Sequence, residues 1–130
     1  RELIDSMKYG NYSDVFGVEK EVGKLNGIIA AVYQNVFETE LYPSIEEKAA
    51  NLLYFLIKDH PFVDGCKRIG ASIFLEFLNK NKHLIIDRKQ IISDSALVAI
   101  ILMIAESRPE EKETMVNLVM NFLKSEFCVN

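Results

Sequence analysis

The chain reads as an all-α bundle carrying one small β element. Three observations predict it. Apolar residues recur at spacings of three and four over several separate stretches, capping signals stand in front of two of them, and Pro43, Pro61 and Pro109 fall singly between elements. Residues 1–23, with Gly10, Gly17 and Gly23 and the aromatic Tyr9, Tyr12 and Phe16, show no sustained period and read as an extended lead-in with at most one short helix. Leu25, Ile28, Ile29, Val32 and Val36 then form a helical stripe expected to end near Asn35. From Phe37 to Tyr42 the pattern alternates, as in an exposed strand or hairpin arm.

Ser44 and Glu47 have capping-box spacing, so a helix is expected from Ile45 to about Lys58 with Ala49, Leu52, Leu53, Leu56 and Ile57 buried. A second apolar stretch runs from about Lys67 to Leu78 through Ile69, Ile73, Phe74 and Phe77, and its near-continuous apolarity marks it as central. Asn79 to His83 reads as a turn, and Leu84 to Ile86 is too short to assign. Asp94 to Glu106 reads as a helix. Ser107 with Glu110 repeats the capping-box spacing ahead of a last helix from Pro109 to about Phe127. The apolar positions of these last two helices read as domain core in preference to an oligomer surface.

Composition narrows the function. One hundred and thirty residues that are 49% hydrophobic suffice for one domain with a continuous core, placed here at residues 24–130 behind the lead-in. A net charge of -4 argues against a nucleic-acid backbone as the main partner, since that binding needs clustered positive charge. The longest mainly apolar run, Ala96 to Ala105, is about half of the roughly 20 residues a bilayer span requires. Two cysteines, Cys66 and Cys128, do not make a disulfide scaffold, and a reducing cytoplasm is the expected setting. The chain opens on Arg1 rather than Met and is expected to be the catalytic portion of a longer one.

Chemistry concentrates in His60-Pro61-Phe62-Val63-Asp64-Gly65-Cys66-Lys67-Arg68, between two strongly apolar helices. Backbone amides of Gly65, Cys66 and Lys67 at a helix N-terminus make an anion site, and Gly65 allows close backbone approach. Arg68 adds a forked donor for phosphate and Lys67 a mobile point charge. Asp64 is the hard oxygen ligand that Mg2+ bridging phosphates needs, and one carboxylate suffices because the ion keeps its waters. His60, with its near-neutral pKa, suits a general base taking a proton from an attacking hydroxyl. Phe62 and Pro61 anchor and stiffen the loop. These residues together point to transfer of part of a nucleotide to a hydroxyl. The plainer alternative makes His60 a helix cap, but Lys67 and Arg68 in a first turn oppose the dipole unless an anion is present.

The segment resembles the Fic/Doc core motif, His-x-Phe-x-(Asp/Asn)-(Gly/Ala)-Asn-(Gly/Lys)-Arg, at eight of nine positions. The run Leu41-Tyr42-Pro43-Ser44-Ile45-Glu46-Glu47-Lys48-Ala49-Ala50 is similar to the lead into the motif in Doc-like members, and the resemblance covers roughly Phe37 to Leu78. It implies a small helical bundle whose loop-helix holds ATP with Mg2+, and a β-hairpin flap that docks the target. By position, His60 deprotonates a Ser, Thr or Tyr hydroxyl of a target protein, Asp64 binds the metal, and Gly65, Cys66, Lys67 and Arg68 line the phosphate site. The flap falls at Phe37, Glu38, Thr39, Glu40, Leu41 and Tyr42, where strand addition would hold the target.

Three positions depart from the adenylylating pattern. Cys66 stands where most members carry Asn, and its thiol is a poor donor. Lys67 replaces a second Gly, the Doc-like variant associated with phosphoryl transfer. Ala71 occupies the place of a second Arg. The resemblance therefore implies a transferase moving AMP or phosphate. Its alternative is a catalytically impaired binding module in which Cys66 has degraded the site. A Cys66 nucleophile is disfavoured, because a thiolate would repel the phosphates the loop is suited to attract. Neither Ser72 to Phe77 nor Ser107 to Lys112 completes the family's restraining pattern Ser/Thr-x-x-x-Glu-Gly/Asn. Any restraint is expected from an upstream regulatory segment or an antitoxin-like partner, the remaining alternative being none at all.

Overall fold

The computed structural model describes residues 18–33, 35–36, 39–40, 42–59, 61, 65–86 and 89–124, with backbone alone at 35–36, 39–40, 86 and 89. Among the described residues five α-helices pack into a bundle: α1 Lys24–Val32, α2 Ile45–Lys58, α3 Cys66–Lys80, α4 Asp94–Glu106 and α5 Lys112–Leu123. Two antiparallel ladders of two residues per strand interrupt them. The first pairs β1 Asn35–Val36 with β2 Thr39–Glu40, and the second pairs β3 Ile85–Ile86 with β4 Lys89–Gln90.

The centre of the bundle is α2, not the motif helix α3 that apolarity alone had marked. Each of the other four helices packs against α2. Its Ala49, Ala50, Leu53, Tyr54 and Ile57 face a core with Phe74 and Leu78 of α3, Leu97, Ile100, Ile101 and Ile104 of α4, and Met115, Val116, Val119 and Leu123 of α5. On the opposite side Leu52 and Leu56 join Leu25, Ile28 and Val32 of α1 and Ile69 of α3. A helix enclosed in this way has little solvent face, so even Lys48 and Asn51 are buried. Asn51 meets the cost by donating its Nδ2 to Glu47 O at 2.9 Å.

Close approach of α2 and α3 requires Gly70. A Cβ there would lie 3.0 Å from Ile57 Cδ1 and 3.5 Å from Leu56 Cβ, both on buried residues. Gly70→Val is expected to cost about 1–3 kcal/mol through overpacking. The measurement is a urea midpoint, which should fall at unchanged m-value.

Caps explain most boundaries. Ser44 Oγ accepts from Glu47 N at 3.0 Å, as the spacing predicted. Ser93 Oγ accepts from Ala96 N at 3.1 Å in front of α4. The second capping expectation is corrected. Ser107 belongs to the end of α4, where its hydroxyl donates to Ile104 O at 2.6 Å, and Lys58 Nζ donates to Ser107 O at 2.7 Å. Pro109 occupies the first position of a 3-10 turn, Pro109–Glu111, which puts the cap at Arg108 and the third position at Glu111. Arg108 N donates to Glu111 Oε1 at 2.7 Å. That hydrogen bond is the main reason the Glu111 carboxyl lies below its usual range. Its small contribution to stability is therefore present above the unfolded pKa and lost as pH falls through the folded one.

Other boundaries also move. The first helix stops at Val32 rather than near Asn35: Tyr33 leaves helical geometry and Val36 enters the ladder rather than the helix, while Ile29 is partly exposed. α3 continues to Lys80, past the predicted turn at Asn79. It ends in a Schellman arrangement, with His83 N donating to Leu78 O and Lys82 N to Asn79 O around a left-handed Lys82 at φ 58°. His83 then ties this turn to the bundle, its Nε2 lying 3.0 Å from Glu46 Oε2 and 3.3 Å from Leu123 O. The last α-helix ends at Leu123, and Phe127 lies outside the described residues. α4 buries one face but exposes Val98, Leu102 and Met103 on the other.

Candidate functional site

The motif lies at the junction of α2 and α3. α2 closes on Asp59, whose N–H donates to Phe55 O at 2.9 Å. Pro61 is buried, and its carbonyl accepts from Lys20 N at 2.9 Å. Lys20, near the end of the lead-in, therefore touches the motif loop at Pro61, a contact that no local pattern in the sequence announces. Glu19 secures the same segment by accepting from Leu25 N through Oε1 at 2.9 Å, at the start of α1.

Gly65 opens α3 in left-handed geometry, φ 89° and ψ 10°, where a side chain would be strained. Its carbonyl accepts from Ile69 N at 2.8 Å, closing the first turn. No side-chain hydrogen bond caps this helix among the described residues. The amides of Cys66, Lys67 and Arg68 occupy a first turn, where helix geometry provides no intrahelical acceptor. Cys66 is half-buried, while Lys67 and Arg68 are exposed. Lys67 and Arg68 stand at the positive end of the helix dipole, which favours a negative group nearby. The arrangement of glycine, first-turn amides and two basic side chains is therefore suited to an anion.

His60, Phe62 and Asp64 lie outside the described residues, as do Phe37, Glu38 and Leu41 of the expected flap. Thr39 and Glu40 form β2, and Tyr42 follows that strand just before Pro43. Among the described residues no three His, Cys, Asp or Glu side chains gather as a metal cluster. An open groove of about 320 Å3 runs between α1 and the end of α2, lined by Lys24, Gly27, Ile28, Ala31, Phe55 and Asp59. None of these six was marked from sequence as a site residue, and Ile28 was read only as part of a helical stripe, since the groove exists only where two distant segments meet. Nearby, burial and the charge of Asp59 push the Tyr54 hydroxyl pKa up. No helix of the described residues is long and apolar enough to cross a membrane.

A family model described as Fic/DOC family matches residues 1–78, from the lead-in through most of α3. The chain belongs to the Fic/DOC family. This Fic/DOC chain is 36% identical over 72 residues to Toxin Doc of Mycolicibacterium smegmatis (strain ATCC 700084 / mc(2)155), a match covering 53% of this chain and 55% of that protein. It thus spans about half the length of the curated relative it matches. No solved structure matches it. The family match includes Gly65, Cys66, Lys67 and Arg68 in its span, and leaves α4 and α5, which supply half of the core around Phe74, beyond its end.

Proposed function

We propose that this Fic/DOC chain is a transferase that moves phosphate or AMP from Mg-ATP to a hydroxyl side chain of a target protein. The observation that carries the reading is the left-handed Gly65 opening α3, with Cys66, Lys67 and Arg68 in the first turn of a motif matching at eight of nine positions. That arrangement suits the phosphates through backbone amides, the dipole and two cationic side chains. Asp64, one residue before Gly65, is a hard carboxylate of the type Mg2+ takes, and the phosphates and water complete such a shell. The bound ion would offset charge on the phosphate oxygens.

The chain's own residues do the rest. The target hydroxyl oxygen attacks phosphorus, its proton passes to the His60 imidazole, and the bond from that phosphorus to the bridging oxygen breaks. Attack at the γ-phosphorus releases ADP, and attack at the α-phosphorus releases pyrophosphate. Lys67 in place of Gly and Ala71 in place of Arg favour phosphate. The setting we propose is a reducing cytoplasm, with the β1–β2 hairpin as target-docking flap and an antitoxin-like protein or upstream segment as restraint.

Incubation with radiolabelled ATP and a cell lysate tests the reading. Label from the γ position alone means phosphoryl transfer, and label from the α position means nucleotidyl transfer. Absence of His60-dependent label from either position would overturn it. A second reading, a binding module with an impaired site, draws on the half-buried Cys66 at the position of an amide side chain. It predicts that Cys66→Asn gains label that the unsubstituted chain lacks.

A further inference from the structure

Among the described residues two polar side chains are buried, Lys48 and Asn51, and of these only Lys48 carries a charge, at 4% exposure. Taking an ammonium out of water is costly unless its contacts offset the loss. Two of the contacts of Lys48 lead to the same place. Its Nζ donates to Tyr42 O at 2.5 Å and stands 5.7 Å from the centroid of the Tyr33 ring. Tyr33 is the residue on which α1 ends, and Tyr42 precedes Pro43 and the cap of α2. The β1–β2 hairpin is the chain between them. One ammonium on α2 therefore holds both feet of the hairpin. Tyr33 in turn packs edge-on against Phe77 of α3, with centroids 6.4 Å apart and planes at 60°. The hairpin feet are thus joined to both helices that flank the motif.

A two-stranded ladder of two residues per strand has little stability of its own. Its position must come from what grips its ends. We propose that Lys48 is the positioning residue of the hairpin, holding it where an extended segment of the target protein adds to its edge. This rests on the transferase reading given above. Lys48 acts through the hairpin backbone, and so governs how the target is held rather than how the nucleotide is bound or the proton taken.

Lys48→Met keeps the length and burial of the side chain and removes the charge. Amide hydrogen exchange of the full chain should then accelerate at Asn35, Val36, Thr39 and Glu40 by about tenfold, while amides of Leu52 to Leu56 keep their protection. In the labelling assay, the target KM should rise by about tenfold with kcat at saturating target changed less than about twofold, and binding of Mg-ATP should be unchanged. Tyr33→Leu, at a half-exposed position, removes the ring contact and should accelerate hairpin exchange in the same direction by a smaller factor. Unchanged hairpin exchange in both variants overturns the proposal. So does a Lys48→Met chain that loses kcat, Mg-ATP binding and α2 protection together, because a merely structural lysine gives that result. A wild-type chain that transfers no label overturns the transferase reading and the docking role with it, and the exchange measurement then still decides whether Lys48 anchors the hairpin.

Discussion

His60→Ala is expected to lower labelling of the target hydroxyl by about 10²–10⁴-fold, the range that a positioned general base contributes. A neutral hydroxyl is a weak nucleophile, and its proton must leave as the bond to phosphorus forms. Without the imidazole only water remains to take it. The same substitution should leave Mg-ATP affinity within about twofold, because in the proposed reading the phosphates meet the first turn of α3 with Lys67 and Arg68, not His60. Titration calorimetry with Mg-ATP and the rate of radiolabel transfer measure the two quantities separately. The contrast between them is the informative part. If affinity and rate fell together, His60 would be holding the loop rather than moving a proton. If the rate persisted, another group would be the base.

The split between what sequence revealed and what it concealed follows from the range of the interactions. Ser44 caps α2 through Glu47, three residues away, and the faces of α2 and α3 follow from periodicity, so both elements were legible within a few residues. The motif was legible for the same reason, since its imidazole, carboxylate, glycine and cations all fall between His60 and Arg68. The capping pair at Ser107 failed on a local detail. Pro109 at the first position of the turn makes Arg108 the cap and Glu111 its partner, which the proline itself could have indicated.

The features that sequence concealed need a distant partner. Lys48 stands four residues before Leu52 and eight before Leu56, on the stripe that faces α1, but its charge suggests a solvated position until the hairpin feet are brought over it. Gly70 reads as an ordinary helical glycine until Ile57 is seen at 3.0 Å from its missing Cβ. The contact of Lys20 with Pro61 joins segments some forty residues apart. The β3–β4 ladder is too short for any periodic signal, and Lys82 turns into it in left-handed geometry without a glycine to mark the place.

Phe74→Ala is expected to cost about 3–5 kcal/mol, the usual penalty for emptying a fully enclosed aromatic site. Phe74 is wholly buried on α3, in the core that α2, α4 and α5 share. The helices around it are held from several sides, so the cavity has little room to collapse, and the cost falls toward the upper part of that range. Against a total of about 5–15 kcal/mol for a domain this size, the loss is a large fraction. The thermal midpoint should drop on the order of 10–20 °C. Val98→Ala, on the exposed face of α4, is the matched control and should change stability by less than about 0.5 kcal/mol. Calorimetry of both variants checks the pair. Equal small shifts would mean that α3 is not seated on the core as described. A large shift for Phe74 alone ties the motif helix to α4 and α5, which lie beyond the family match yet supply half the wall behind it. The proposed anion site at Gly65 would then depend for its rigidity on a part of the chain that carries none of the motif.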